Sequence, residues 1–363
     1  SFVGADLGAN QVWRARGSGE SQLTPQGEIR RLWIGASLQA SALLLLPLLI
    51  VSFNGIWVRN CDWLFGLQCF LLMPLLSTVI GCGVGVLAAL VAGPRRLLHR
   101  VLPSLVLISI GLFSLQYLFN APTVFSYNAF VGYFPGNLYD LSINLRAPFY
   151  WARLYQFAVL LAAAAVISIF VDLPTLSLTR VPNASWQKKS FCLLLLASTS
   201  AAMGLHFSAG SLGFQVTSED MQEALPGIHE SEHFIIHYSA EARIRDNIEA
   251  IADDHEFRRA QLVRDFAVDP PGKIRSYYFG SPEEKHRLMG ARNVYMAKPW
   301  RHEIYMNLRD FPHPVLRHEI AHVMAGRFGD AIFEVSAGTL LGLPVYFNVG
   351  MIEGIAVAGD WPD

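Results

Sequence analysis

Charged residues are scarce in this sequence and unevenly placed. Of its 363 residues only 16% are Asp, Glu, Lys or Arg, while 52% are hydrophobic. Residues 32–207 are mostly uncharged, whereas residues 219–330 are rich in Asp, Glu, Arg and His, and nine of the eleven histidines lie at or after His229. This composition excludes an ordinary soluble enzyme. It predicts a membrane region followed by a water-soluble domain.

Cysteine is also scarce. The four cysteines lie in or beside the apolar runs, at Cys61, Cys69, Cys82 and Cys192. A disulfide framework is therefore excluded for the water-soluble domain, which must be held by its apolar core and by any metal that it binds. The apolar runs carry almost no ionisable residues, which argues against a transport path or a proton relay through the membrane.

Five apolar runs are long enough to cross a bilayer, which takes about 20 helical residues. They are residues 32–53, 63–92, 101–119, 154–171 and 191–207. The second run is longer than one span needs and contains Pro74, so two half-spans are an alternative to one helix there. Gly81 and Gly85 are spaced for a close helix contact, for which we expect generic packing in a bundle rather than a dimer motif.

Lysine and arginine predict the orientation. Ten of them lie before the first run, between the second and third, and between the fourth and fifth, whereas only Arg59, Arg146 and Arg153 lie in the other loops. The side of the membrane that carries these ten residues is therefore predicted to be cytoplasmic. Five spans then place everything after about Ser208 outside. We expect an integral protein of a bacterial inner membrane, with a flexible cytoplasmic lead-in at 1–31 and a linker at 208–232.

The predicted outer loop at 120–153 is densely aromatic. An interfacial belt at the membrane surface is the simpler interpretation. The alternative is a lid or docking platform for the outer domain, in which Asp140, Asn144 and Arg146 would take part.

A metal-binding motif lies in residues 314–327, PVLRHEIAHVMAGR. His318 and His322 are four residues apart, so on a helix both imidazoles lie on one face and can bind one Zn²⁺. Glu319 lies beside them, placed to take a proton from a water at the metal. Pro314 suits the first turn of such a helix, and Gly326 suits its end.

A zinc site of this class needs a third protein ligand, for which the sequence offers Glu353 in the stretch E-G-I-A. H-E-x-x-H followed by E-G-x-A resembles the gluzincin metallopeptidases, in particular the peptidase-MA-like group. The resemblance covers residues from about 227 to 362. It implies an α+β zincin-like domain, taken as 233–363, in which Glu353 is the third ligand. Glu334 is the rival ligand, but it lacks the Gly-x-Ala context.

The sequence departs from this family in two ways. Thirty residues separate His322 from Glu353, more than in the best-known members, so the apolar insert 331–348 must loop out. The sequence also stops just past the ligand helix. We therefore expect a C-terminally truncated domain whose oxyanion-stabilising residue lies beyond residue 363. The sequence does not match the metzincin pattern, because it has Ala325 and Phe328 at the positions where that pattern requires Gly and then His or Asp.

Two further residues are candidates for supporting the metal ligands. A histidine that binds zinc usually donates its other ring N–H to an acceptor. Asp360, seven residues after Glu353, is a possible acceptor, and His313 lies close to the site in sequence. His233 and His237 lie on one face of a predicted strand and are expected to be structural.

The outer domain alternates between predicted strands and helices. Strands are predicted at 233–239, 273–279 and 302–308, and helices at 241–266 and 282–288. In the resembling family the last strand is a sheet edge to which substrate backbone pairs. Ordinary sheet packing is the equal alternative for Ile304, Tyr305 and Met306.

The sequence thus predicts a membrane-anchored zinc metallopeptidase, a hydrolase that cuts peptide bonds with a metal-activated water. Zn²⁺ would be held by His318, His322 and Glu353, with Glu319 as the catalytic base. We expect a peptide or protein substrate and a lipid bilayer as partners, and no nucleic acid. One alternative is a membrane scaffold or sensor whose zinc domain binds peptides without cleaving them. Another is a metalloprotease in which the insert 335–349 re-enters the bilayer.

Overall fold

The chain divides into two units, which are described separately. The computed structural model describes residues 1–16, 23–58, 62–134, 145–184, 188–270, 272–326, 328, 335, 337–340 and 343–360. One unit consists of Ser1–Ser114, Tyr127–Phe134 and Asn144–Phe214. The other has Leu115–Ser126 and Gln215–Asp363 as its main parts.

The first unit is built mainly of apolar helices. In chain order they are α1 (Phe2–Ala15), α2 (Pro25–Asn54), α3 (Trp63–Phe70), α4 (Leu76–Ala92), α5 (Arg96–Asn120), α6 (Ala147–Ile169) and α7 (Lys189–Phe207). Two small hairpins pair β1 (Ser126–Asn128) with β2 (Gly132–Phe134) and β3 (Val171–Asp172) with β4 (Ser177–Leu178). The last residues of α5 are counted with the second unit.

Five helices of the described chain are long and apolar enough to cross a membrane, as the hydropathy predicts. They are Pro25–Asn54, Trp63–Ala92, Arg96–Asn120, Ala147–Ile169 and Lys189–Phe207. The second is continuous, because α3 and α4 join through a π-helical turn around Pro74 rather than forming two half-spans. Large apolar side chains on α2, such as Leu38 and Leu46, are mostly exposed. Such a surface is unfavourable in water and suits lipid.

The predicted flexible lead-in at 1–31 is wrong, because α1 is a packed helix. Small residues let its backbone lie directly on α4. A Cβ atom built on Gly4 would lie 2.6 Å from the carbonyl oxygen of Thr78, and one on Gly81 would lie 2.6 Å from that of Ser1. The Gly81 and Gly85 pair therefore serves a helix contact within the chain, consistent with packing in a bundle.

Arg153 lies inside α6 rather than in a loop, and only 4% of it is exposed. Its Nη1 donates to backbone carbonyls of the β1–β2 hairpin and to the side chain of Gln156, and its Nη2 donates to Ser77 at 2.9 Å. The guanidinium thereby fixes the hairpin, whose Phe130 belongs to the apolar core of the unit. Of the three polar residues of the aromatic loop, Arg146 directly precedes the first residue of α6, whereas Asp140 and Asn144 lie outside the described residues.

The contact between α1 and α4 gives a stability prediction. A methyl group on Gly85 would lie 2.8 Å from the Cα atom of Ala5. We therefore expect Gly85→Ala to lower the free energy of unfolding by about 1–3 kcal/mol. Gly111, in α5, has nothing within 4 Å of its Cβ position. Gly111→Ala is the matched control and should be neutral. Thermal unfolding in detergent compares the two, and equal melting temperatures would contradict the contact.

The second unit contains a mixed sheet with helices on both faces. Its elements are α8 (Ser218–Ala224), β5 (Gly227–Glu230), β6 (Phe234–Tyr238), α9 (Ala242–Arg245), α10 (Ile248–Phe266), β7 (Ile274–Phe279), α11 (Pro282–Met289), β8 (Met296–Lys298), β9 (Glu303–Asn307), α12 (Leu316–Ala325), β10 (Ala337–Leu340), β11 (Leu343–Phe347) and α13 (Val349–Asp360). The predicted linker at 208–232 therefore contains a helix and a strand. The apolar insert contains the β10–β11 hairpin.

The order of the five-stranded sheet is β5-β6-β7-β9-β8. Strands β6, β7 and β9 are parallel, while β5 and β8 are antiparallel edges. The prediction of β9 as the edge is wrong, because β9 pairs on both sides and its five residues are all buried. Ile304, Tyr305 and Met306 are thus ordinary sheet residues, and β8 is the edge on that side.

The two sheet faces have separate apolar cores. On one face, residues such as Ile236 and Ile304 pack against α10 and α12 in a cluster that also includes Ala356 of α13. On the other face, Tyr277, Phe279 and Tyr305 pack with residues of α8 and α11. The helix that carries the H-E-x-x-H motif is therefore held between the sheet and α13.

Candidate metal centre

Helix α12 carries the motif and is almost completely buried. It begins at Leu316, with Pro314 in the turn before it rather than in its first turn, and its C-cap is Gly326. Every residue from Glu319 to Ala325 is buried. The apolar ones fill the core, but Glu319 and His322 bring polar groups into the same environment. Such groups need partners, since a buried polar group without one is unfavourable.

The structure brings His318, His322 and Glu353 together. Nε2 of His318 lies 3.6 Å from Oε2 of Glu353, and Nε2 of His322 lies 3.8 Å from the same oxygen. Zinc binds His nitrogen and carboxylate oxygen at about 2.0–2.2 Å, so tetrahedral ligand atoms lie roughly 3.4 Å apart. The observed separations are close to that value. These three side chains therefore have the ligand chemistry and the spacing that a bound metal ion needs.

Asp360 lies behind His318, on the opposite side of the ring from Glu353. Its Oδ2 is 2.7 Å from Nδ1 of His318. A carboxylate there accepts the Nδ1–H, which leaves the lone pair of Nε2 free for a metal. Residues 353–360 belong to α13, so one helix supplies both the candidate third ligand and this acceptor.

The carboxyl group of Glu319 lies within the same cluster. Its ligand atom and those of His318 and His322 are all within 4.8 Å of one another. Oε2 of Glu319 is buried and has no hydrogen-bond partner among the described residues. Burial raises the pKa of Glu319 to about 7, and the negative charges of Glu353 and Asp360 act in the same direction. Burial also lowers the pKa of the His322 imidazole.

His313 is not part of this cluster. Its Nε2–H donates to the backbone carbonyl of Asn307 at 3.1 Å, and its Nδ1 accepts from the N–H of Val315. The backbone N–H of His313 donates to Oδ2 of Asp254 at 3.0 Å. Burial lowers its pKa, which favours the neutral ring that these two ring bonds require. His313 thus fixes the loop before α12 and does not contact the ligand histidines.

Sequence reasoning missed the role of Asp254. Asp254 is a charged residue within a predicted helix, yet it is 5% exposed. No spacing in the sequence links it to His313, fifty-nine residues away. Only the fold places α10 against the loop before α12.

The remaining candidates lie elsewhere. His233 bonds the carboxylate of Glu256 at 2.7 Å, and His237 stacks on Tyr277. Neither histidine belongs to the group of His318, Glu319 and His322, whose side chains could hold a metal ion. Glu334, the rival third ligand, lies outside the described residues.

No protein-family model matches the chain, and no curated protein sequence matches it. The resemblance to gluzincins therefore rests on the H-E-x-x-H and E-G-x-A residues alone.

The bond between Asp360 and His318 gives a prediction for metal affinity. Loss of an acceptor behind a ligand histidine typically weakens metal binding by about 10–100-fold. We expect Asp360→Asn to weaken zinc binding by that factor, because the amide is a poorer acceptor for the Nδ1–H. Competition with a chromogenic chelator measures the affinity. Asp253→Asn, at an exposed position on α10, is the control. Unchanged affinity in the Asp360 variant would contradict the proposed arrangement.

Proposed function

We propose that this chain is a membrane-anchored, zinc-dependent peptidase of the gluzincin kind. The observation that carries the proposal is the convergence of two imidazole Nε2 atoms and the Glu353 carboxylate beside the buried, unpartnered oxygen of Glu319. Two ligands come from α12 and one from α13, which are neighbouring helices of one core. The five apolar helices support a membrane location.

A bound Zn²⁺ would polarise both a water molecule and the carbonyl group of a peptide. Glu319 is the base in this proposal: its carboxylate takes a proton from the attacking water and later delivers it to the leaving amine nitrogen. Its buried position on α12 holds it beside the ligands without being one of them.

Asp360 and Glu353 have different tasks in this proposal. Asp360 keeps the His318 ring in one tautomer and one orientation. Glu353 completes the ligand set and adds a negative charge beside two neutral imidazoles. It is about half exposed, which leaves one side of the ligand set open to solvent and to a substrate.

The catalytic role of Glu319 gives the direct test of this proposal. Glu319→Gln keeps the size of the side chain but cannot accept the proton. We expect peptide hydrolysis to fall by about 10²–10⁴-fold while zinc content is unchanged. A randomised peptide library read by mass spectrometry measures hydrolysis. Glu249→Gln, at an exposed position on α10, is the control and should keep full activity.

The same experiment separates the proposal from a scaffold or sensor. Full hydrolysis by the Glu319 variant would disprove the assigned base. A zinc-loaded wild-type chain that binds library peptides but cuts none would instead favour the scaffold.

A further inference from the structure

A short segment of the second unit hydrogen-bonds to the C-terminal end of α5, whose last residues belong to the same unit. The segment is residues 298–301, Lys-Pro-Trp-Arg, which we call the clamp. Lys298 ends the edge strand β8, and the other three residues form a 3₁₀ turn that leads toward β9. The last carbonyl groups of a helix have no partner within the helix and need donors from elsewhere. The clamp supplies them for α5.

Three side chains of the clamp donate to five carbonyl oxygens at the end of α5 and just beyond it. The hydrogen bonds are those of Lys298 Nζ to Leu118 (3.1 Å), Trp300 Nε1 to Phe119 (2.9 Å), Arg301 to Asn120, and Lys298 Nζ to Ala121 and to Thr123 (3.0 Å). The Trp300 ring also stacks on Phe119, with 4.8 Å between the ring centres. Arg301 is a cation at the negative end of the helix dipole, which favours it there.

The clamped end of α5 falls at a membrane surface if α5 is a span. Its 25 residues form one of the five apolar helices. A helix of that length is about 37 Å long, against roughly 30 Å for the hydrocarbon core, so only a few residues extend beyond the core. The last turn therefore lies at the interface. Trp is typical of that depth.

The clamp begins in the strand that has an open edge. On one side β8 pairs with β9. On its other side, no backbone hydrogen bond to residues 296–298 is found within the described chain. Ala297 packs in the same core cluster as Leu316 and Ile320 of α12, the helix that carries the candidate metal ligands. An open edge of this kind binds an extended peptide as an additional strand.

The short distance between β8 and the end of α5 restricts which polypeptides can pair with β8. A peptide paired on β8 would lie about 4.8 Å from that strand. Lys298, the last residue of β8, itself reaches the end of α5, with its Nζ 3.1 Å from the carbonyl oxygen of Leu118. A peptide on the outer side of β8 is therefore only a few residues of extended chain away from the end of α5.

We propose that this site acts on polypeptides that are themselves anchored in the membrane, cutting them within about ten residues of the bilayer while they are paired along β8. The inference rests on the proposed peptidase function and names its substrate class. A protein anchored by its own transmembrane span has an extended segment next to the membrane surface. In this proposal β8 is held at the same depth.

The cleavage test uses the full chain in lipid vesicles. The probe is a pool of single-span polypeptides, each with a Leu-rich span followed by forty randomised residues, and mass spectrometry locates the cuts. We expect cuts to cluster in the first ten residues. The same forty residues without the span should be cut more slowly by about ten-fold or more, because the anchored form has a higher effective concentration. Cuts spread evenly along the segment, or equal rates for both forms, would overturn the inference alone. No cleavage of either form would overturn the peptidase function with it.

A clamp variant tests the cause of the clustering. Trp300→Ala removes both the stacking on the Phe119 ring and the hydrogen bond to the Phe119 carbonyl. We therefore expect the cuts made by this variant to spread beyond the first ten residues of the substrate segment. Trp57→Ala, at a position that is 79% exposed, is the matched control and should keep the wild-type pattern. An unchanged pattern in the Trp300 variant would contradict the clamp.

A second measurement does not depend on activity. The photoreactive residue benzoylphenylalanine, placed at Asn293 just before β8, should capture a lipid with a biotin-tagged headgroup on illumination. The same residue at Ile228, on the opposite edge strand β5, is the control and should capture several-fold less. Four strand spacings of about 4.8 Å separate the two edges. Equal capture at both positions, or more at Ile228, would overturn the membrane-proximal placement even if the peptidase function holds.

Discussion

The burial of Glu319 and His322 within α12 is the constraint on which the second unit depends. These polar groups lie on a helix whose other residues fill an apolar core. A buried carboxylate or imidazole is costly unless charge or hydrogen bonding compensates it. Helix α13 brings the carboxylates of Glu353 and Asp360 to the same place, which adds negative charge rather than relieving it. A divalent cation is the partner that would balance this cluster.

In the second unit, the apolar core and the polar cluster are built from different residues of the same elements. Parallel strands β6, β7 and β9 form an apolar platform, and α12 packs on it with its apolar residues. His313 and Asp254 fix the loop that enters α12. The backbone N–H of His313 donates to Asp254, and its neutral ring donates to Asn307 and accepts from Val315. The candidate metal ligands therefore lie on two packed helices rather than on loops, which keeps their spacing fixed.

Local patterns in the sequence predicted the parts that depend on neighbouring residues. The five apolar helices, the strands β6, β7 and β9, and the spacing of His318 and His322 follow from periodicity over a few residues. Partners distant in sequence could not be predicted in the same way. Arg153 looked like a loop residue, β9 like an edge, and the first 31 residues like a flexible tail. Each error reflects a contact, with Ser77, β8 or α4 respectively, that no local spacing reveals.

Metal analysis of the purified chain tests the central claim most directly. Elemental analysis would compare wild type with Glu353→Gln and with Glu334→Gln. The account predicts about one zinc per chain in wild type and in the Glu334 variant, and loss of that zinc in the Glu353 variant. Zinc lost only in the Glu334 variant would contradict the ligand set. A folded wild-type chain without affinity for zinc would contradict the metal centre itself.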